Sequence, residues 1–159
     1  MIRVGLGYDS HRLVQGRPLI IGGVRIDYEL GLSGHSDGDV LLHAVTDAIL
    51  GALAMGDIGQ WFPDSDPRWR GADSATFLSS AIAAAKNKGY VVGNCDVVIL
   101  AEEPKLAPHR DTILCRLGEL LGVTPDRVGL KAKTNEQMGF VGRGEGIVAM
   151  ATVLLNSTG

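Results

Sequence analysis

The chain of 159 residues carries a formal net charge of -3, with 45% hydrophobic and 21% charged residues. That length suits one domain spanning residues 1–159, and the composition excludes a disordered or fibrous chain as a global description. Its 15 lysines and arginines are scattered, not striped, so nothing attracts a polyanion and nucleic acid is not an expected partner.

In chain order, residues 2–6 alternate apolar side chains with arginine or glycine and run on into Tyr8, Asp9, Ser10 and His11, while Pro18 to Ile26 forms a second β-rich run. Gln15, Gly16 and Arg17 separate the two, and the spacing predicts a hairpin between them. Asp9 arrives before any secretory apolar core can form, and no window approaches a membrane span. A cytoplasmic chain without membrane contact is therefore expected. From Gly38 to about Met55 helix formers dominate, with Asp37 and Asp39 where an N-cap and an acidic first turn belong. Its wheel is apolar nearly all round, so this helix is expected to be buried on more than one side.

Gly56 to Ala72 combines prolines, glycines, aspartates and both tryptophans, a mixture that breaks regular structure yet is too rich in large side chains for a linker; it is a candidate functional loop. A second helix is predicted from Ser74 to Gly89, capped by Asp73 or Ser74. Cys95 to Ala101 reads as a short buried strand. A third helix runs from about Ala107 to Leu121 and stops at Gly122, Val128 to Lys133 alternates as a strand, and Gly146 to Leu155 forms a last strand with apolar residues on both faces. This order predicts an α/β (α+β) fold, a sheet of four to five strands with helices on one face. Val148, Met150 and Leu154 would then lie uncovered on the last strand, and a second copy of the chain is the simplest cover, so an obligate homo-oligomer is expected. Cys95 and Cys115 show no CxxC spacing and read as buried small hydrophobes. The 22 glycines are about twice the usual share.

Asp9 and His11 stand one residue apart on a strand and share a face, with Gly5 and Gly7 before them leaving open space there. That is metal-ligand geometry, and equally a surface pair near a turn. His43, in the buried helix, has Asp39 and Asp47 one turn to either side. Three ionisable groups on one buried stripe are costly unless they serve a site, although a satisfied core histidine is the plainer reading. Two histidines and one aspartate form a known catalytic zinc set, and Asp39 or Asp47 could orient the imidazole. His35 and Ser36 precede the helix, where free N–H groups favour phosphate, or they form a simple capping loop. Lys131 to Gly146 brings together cations, Thr134, Glu136, Phe140, Arg143 and four glycines, a set suited to phosphate. No P-loop, dinucleotide fingerprint or nucleophile elbow occurs.

The segments GYDSHRL, GLSGHSDGDVLLHAVTDAILGALAMGDIG, FPDSD, GADS, AEEPKLAPH and GFVGRGEGI, in that order, closely resemble the 2-C-methyl-D-erythritol 2,4-cyclodiphosphate synthases of the non-mevalonate isoprenoid pathway. The resemblance implies a homotrimer with a mixed sheet per subunit facing a threefold axis, helices outside, and active sites between subunits. Asp9, His11 and His43 would be the ligands of Zn2+, and Glu136 that of a second ion, Mg2+ or Mn2+, on the diphosphate. His35 and Thr134 match positions that stabilise the transition state. Asp57, Ile58 and Gly59 match a ribose-contacting turn, and Phe62, Pro63, Asp64, Ser65 and Asp66 a loop over the methylerythritol. Ala101, Glu102, Glu103, Pro104, Lys105, Leu106 and Ala107, with Ala132, Lys133, Thr134 and the adjoining Asn135, match the cytidine pocket. Phe140 and Arg143 match the region near the axis, where Met150 stands in place of an acidic partner for Arg143 found in some members.

The implied reaction is metal-assisted attack by the 2-phosphate of 4-diphosphocytidyl-2-C-methyl-D-erythritol 2-phosphate on its β-phosphorus, expelling CMP. The nucleophile is already an anion, so alignment and charge neutralisation are required and a protein base is not. Two rivals remain on the sequence: a metal-dependent phosphohydrolase using the same ligands with water, and a trimeric nucleotide-binding regulator.

Overall fold

A computed structural model describes all of residues 1–159. The first strand, β1 (Ile2–Val14), is followed by β2 (Leu19–Ile21), β3 (Val24–Ile26) and the short β4 (Gly31–Leu32). Helix α1 (Val40–Ala52) and the single turn α2 (Ile58–Trp61) precede α3 (Ser74–Asn87), β5 (Tyr90–Leu100) and α4 (Arg110–Leu121). The chain ends with β6 (Val128–Lys133), the turn α5 (Gly139–Gly142) and β7 (Gly146–Ser157).

The main sheet has the order β4-β1-β7-β5-β6, antiparallel except for the parallel β5–β6 pair, so it is mixed and five-stranded. Helix α1 crosses β1 and β7, α3 packs on α1 and β5, and α4 covers β6, all on one face. Ile147, Ala149, Ala151, Val153 and Leu155 of β7 point into that layer and are buried. The opposite face presents Ile2, Val4, Leu6 and Tyr8 of β1 beside Met150, with Leu6 72% and Met150 38% exposed. The two-sided apolar character of the last strand is thus real, although Val148 is itself buried. No helix is long and apolar enough to cross a membrane.

Several local expectations need correction. β1 does not pair with the run at Pro18 to Ile26. That run folds on itself as β2–β3 through Gly22 and Gly23, both at positive φ, where glycine carries no Cβ penalty, and β1 pairs instead with β7 and β4. A two-residue turn inside an apolar run is easily read as one strand. β5 begins at Tyr90, earlier than expected, because a bulge between Val92 and Asn94 shifts the alternation and masks its first part. Cys95 is buried but Cys115 is exposed, on the outer side of α4. Helix α4 ends as expected at Gly122, left-handed with φ 69.

Candidate metal centre and adjoining cavities

Alternation along β1 sends Gly5, Gly7, Asp9 and His11 toward α1. The expected open space beside the glycines is absent. A Cβ on Gly5 would lie 1.8 Å from the Ala48 carbonyl oxygen, and one on Gly7 1.8 Å from that of Ala44. The helix backbone rests directly on the strand, which carries His43 down to the next two inward residues. Asp39 fixes the start of α1: its carboxylate accepts from Leu42 N at 3.0 Å, Gly22 N at 2.9 Å and Gly23 N at 2.6 Å. Burial pushes that carboxyl up to about 6 against those three donors.

Asp9, His11 and His43 converge. Asp9 Oδ2 lies 2.8 Å from His11 Nε2 and 3.0 Å from His43 Nδ1, and the two ring nitrogens are 3.1 Å apart. The rings meet edge to face with centroids 5.1 Å apart. His11 Nδ1–H donates to the Ser33 carbonyl at 2.5 Å, leaving Nε2 to face the other two donors. Burial alone would raise the Asp9 pKa, but hydrogen bonds from the two imidazoles outweigh it and hold the carboxyl at about 2. For His11 burial works to lower the pKa, and the Asp9 carboxylate reverses this and raises it. One carboxylate and two imidazoles, each donor atom within 4.8 Å of the others, fit a catalytic zinc set with a position left for substrate.

Neither Asp39 nor Asp47 bonds to the His43 ring; Asp39 caps α1 and Asp47 accepts from Ile58 N at 2.7 Å. A carboxylate four residues away on the helix is turned to backbone N–H groups, and it is Ser74 Oγ at 2.8 Å and Ser36 Oγ at 3.1 Å that face His43 Nε2. Asp9, His43 and Ser74 thus line up in the order of a catalytic triad. Ser74 is fully buried and its hydroxyl donates to Asp37, so it is no nucleophile.

The donors open into a cavity of about 430 Å³. Of the residues singled out in the sequence, His35, Ser36, Ile58, Gly59, Phe62, Pro63 and Asp64 line it. Asp57 instead caps α2 through Gln60 N, and the Asp66 side chain is taken up by Arg68, while its carbonyl accepts from His35 Nε2 at 3.2 Å. Trp69 and Phe77 also line the cavity. Phe77, one turn into α3, stacks on Phe62 with ring centroids 4.4 Å apart, and its centroid lies 6.0 Å from that of His43. Its signal was only a lone aromatic on the inward face of a predicted helix.

A second cavity of about 320 Å³ lies at the carboxyl ends of parallel β5 and β6, where open α/β sheets place ligands. Ala101, Pro104, Lys105, Leu106, Ala107, Ala132, Lys133 and Thr134 line it, and Arg110 adds a cation the sequence reading missed. Glu102 and Glu103 stay outside. Glu102 accepts from Asn135 N at 3.1 Å, tying the two loops, and Glu103 pairs with Lys105 at 3.5 Å. Glu136, at φ 50, accepts from the Thr134 hydroxyl at 3.1 Å and lines neither cavity. No residue lines both, so one chain keeps His35 and Thr134 in separate cavities. Phe140 borders a small recess beside His11, and Arg143 pairs with Glu145 of the same motif at 2.7 Å.

Comparison with known proteins gives the family and the fold. A family model described as the YgbB family matches residues 2–156. The 2-C-methyl-D-erythritol 2,4-cyclodiphosphate synthase of Geobacter metallireducens is 58% identical over 154 residues, 97% of this chain and 98% of its own. That of Synechococcus elongatus is 53% identical over 153 residues, 96% of each chain. A solved structure of such a synthase in a form bound to CDP is similar at TM-score 0.90 and 43% identity, covering 97% of this chain and 100% of that one. The bifunctional IspDF from Campylobacter jejuni is similar at TM-score 0.94 and 38% identity; this chain covers 42% of its length.

Proposed function

Because the chain belongs to the YgbB family, we propose that it is the enzyme that converts 4-diphosphocytidyl-2-C-methyl-D-erythritol 2-phosphate to 2-C-methyl-D-erythritol 2,4-cyclodiphosphate and CMP, a cytoplasmic lyase of non-mevalonate isoprenoid biosynthesis. The observation that carries the reading is the convergence of Asp9, His11 and His43 at the mouth of a cavity whose one serine-histidine-aspartate alignment is closed off as a nucleophile. A phosphate anion of the substrate fills that role. Asp9, His11 and His43 would hold Zn2+ and Glu136 would hold Mg2+ or Mn2+, and ions so held would supply positive charge to phosphate oxygens. Glu136 offers a single hard carboxylate, which suits an ion held chiefly by substrate phosphates.

His35 and Ser36 line the metal cavity and Thr134 the other, and these three polar side chains align the diphosphate and steady its charge. Ala101, Pro104, Lys105, Leu106 and Ala107 with Ala132 and Lys133 hold the cytidine, while Glu102 with Asn135 and Glu103 with Lys105 brace the loops around it. Asp57, Ile58 and Gly59 hold the ribose, and residues 62–66 cover the methylerythritol. The two cavities share no lining residue, which supports a site completed by a neighbouring copy. A homotrimer seated on the apolar row of Ile2, Val4, Leu6, Tyr8 and Met150 would supply it, with Phe140 and Arg143 near its axis. Sedimentation at nanomolar concentration is expected to give the mass of three chains; an active monomer would remove this part of the reading.

The deciding experiment is ³¹P NMR of purified protein with the diphosphocytidyl substrate. A cyclic diphosphate plus CMP is expected, because the 2-phosphate is held at high effective concentration beside the β-phosphorus. Open methylerythritol bisphosphate as the main product would favour the phosphohydrolase, and no turnover the regulator.

Metal uptake carries a pH signature. Asp9 is ionised well below neutrality, whereas His11 titrates above its ordinary value and must lose its proton for Nε2 to bind an ion. Affinity therefore falls as pH drops through the raised His11 value. Zinc added to metal-free protein in weak buffer is expected to release more protons per chain at a pH below the ordinary histidine value than at a pH well above it. Equal release at both would remove His11 from the ligand set.

A further inference from the structure

We infer that Ser74, held by the Asp37 carboxylate, is the positioning residue that fixes the His43 imidazole for the metal. The inference rests on the reading of Asp9, His11 and His43 as ligands. The two histidines present different nitrogens to the common point, Nε2 for His11 and Nδ1 for His43. A neutral imidazole carries one proton, and the partner of the remote nitrogen decides which nitrogen keeps a lone pair. For His11 a backbone carbonyl settles it, since Ser33 O can only accept.

His43 Nε2 faces hydroxyls, which accept or donate equally well, so a serine by itself leaves the choice open. If Ser74 donated to Nε2, the ring proton would move to Nδ1 and block the ligand position. Asp37 prevents this. One carboxylate oxygen accepts the Ser74 hydroxyl proton and the other accepts Ser74 N–H at 3.1 Å, so Ser74 Oγ has only its lone pairs left for His43 Nε2–H. Asp37 is itself anchored by its N–H to the Ala72 carbonyl at 3.0 Å. Ser36 Oγ, 3.1 Å from the same nitrogen, accepts weakly from Gly38 N at 3.3 Å and has Ser74 Oγ as its other neighbour at 3.4 Å, so any direction it takes is set through Ser74 and not by a carboxylate of its own. Ser74 is fully buried.

The test uses metal-free full-length protein loaded with Co2+, reading the dissociation constant by chelator competition together with the visible ligand-field spectrum. Ser74→Ala and Asp37→Asn are each expected to weaken Co2+ roughly 10- to 100-fold and to shift the spectrum, as loss of such supporting contacts does elsewhere. Ser36→Ala is expected to change affinity less than about threefold by the same scale. Asp37→Asn keeps the shape of the side chain and so covers the case in which Ser74→Ala fails to fold. Affinity and spectrum unchanged in both Ser74→Ala and Asp37→Asn would overturn the inference, as would a loss in Ser36→Ala equal to that in Ser74→Ala. His43→Ala separates the two levels: if it binds Co2+ as the unaltered protein does, or if the unaltered protein binds none, the ligand assignment itself fails and the inference falls with it.

Discussion

His43→Ala is expected to lower cyclisation by about three orders of magnitude or more while the chain stays folded. Charge that a bound ion would place on a reacting phosphoryl oxygen is worth several kcal/mol, at about 1.4 kcal/mol per factor of ten in rate. Removing one of three donors leaves a pair that holds the ion weakly and in the wrong place. The fold should survive because alanine favours helix, α1 keeps its Asp39 cap, and Ser74 keeps Asp37 as partner. Circular dichroism and sedimentation matching the unaltered protein, with metal content well below one per chain, complete the expected result. Turnover within tenfold of the unaltered enzyme would mean that His43 is a packing residue.

Gly7→Ala is the second large effect, and it acts on stability and site together. Its Cβ would sit 1.8 Å from the Ala44 carbonyl oxygen and 2.9 Å from Ala48 N, both backbone, so no side-chain rotation relieves the clash and α1 must lift from β1. Overpacking of this kind costs about 3 kcal/mol, near the top of the usual range, or roughly 6–12 °C in Tm at this chain length. The lift also stretches the 3.0 Å contact between Asp9 and His43, so metal affinity should fall in the protein that remains folded. Gly51→Ala is the matched control. Gly51 lies within α1, the nearest foreign atom to its Cβ position is Leu6 O of β1 at 3.9 Å, and alanine there should raise stability by roughly 0.5–1 kcal/mol. If thermal scans found the two variants alike, the direct seating of helix on strand would be wrong.

Local patterns were the legible part. A polar His43 in an apolar helix, the i,i+2 spacing of Asp9 and His11, and the Gly122 stop each carry their meaning within a few residues. Contacts made across the chain were not. Asp37 and Ser74 are 37 residues apart and Ser74 and His43 31, so the sequence favoured the nearer Asp39 and Asp47 as partners of the ring. The glycines of β1 were misread for the same reason, since a missing side chain looks like empty space until the backbone that fills it is known. The β2–β3 turn was hidden because apolar residues flank it on both sides.

The two ends of the chain lie side by side. The Met1 ammonium donates to Ser157 Oγ at 2.7 Å, Ser157 N–H donates back to the Met1 carbonyl at 3.0 Å, and Ile2 sits opposite Asn156. Joining them would take only a short linker, and reopening the ring at the exposed turn after Gly122 would leave every strand pairing as it is. Asp9 is seven residues further along β1 from Ile2, about 23 Å at the usual strand rise, and Leu100, next to Ala101 of the second cavity, lies at that same far end. Sequence appended at either terminus would therefore leave from the corner remote from both cavities, so a fused partner could grow there without shading them.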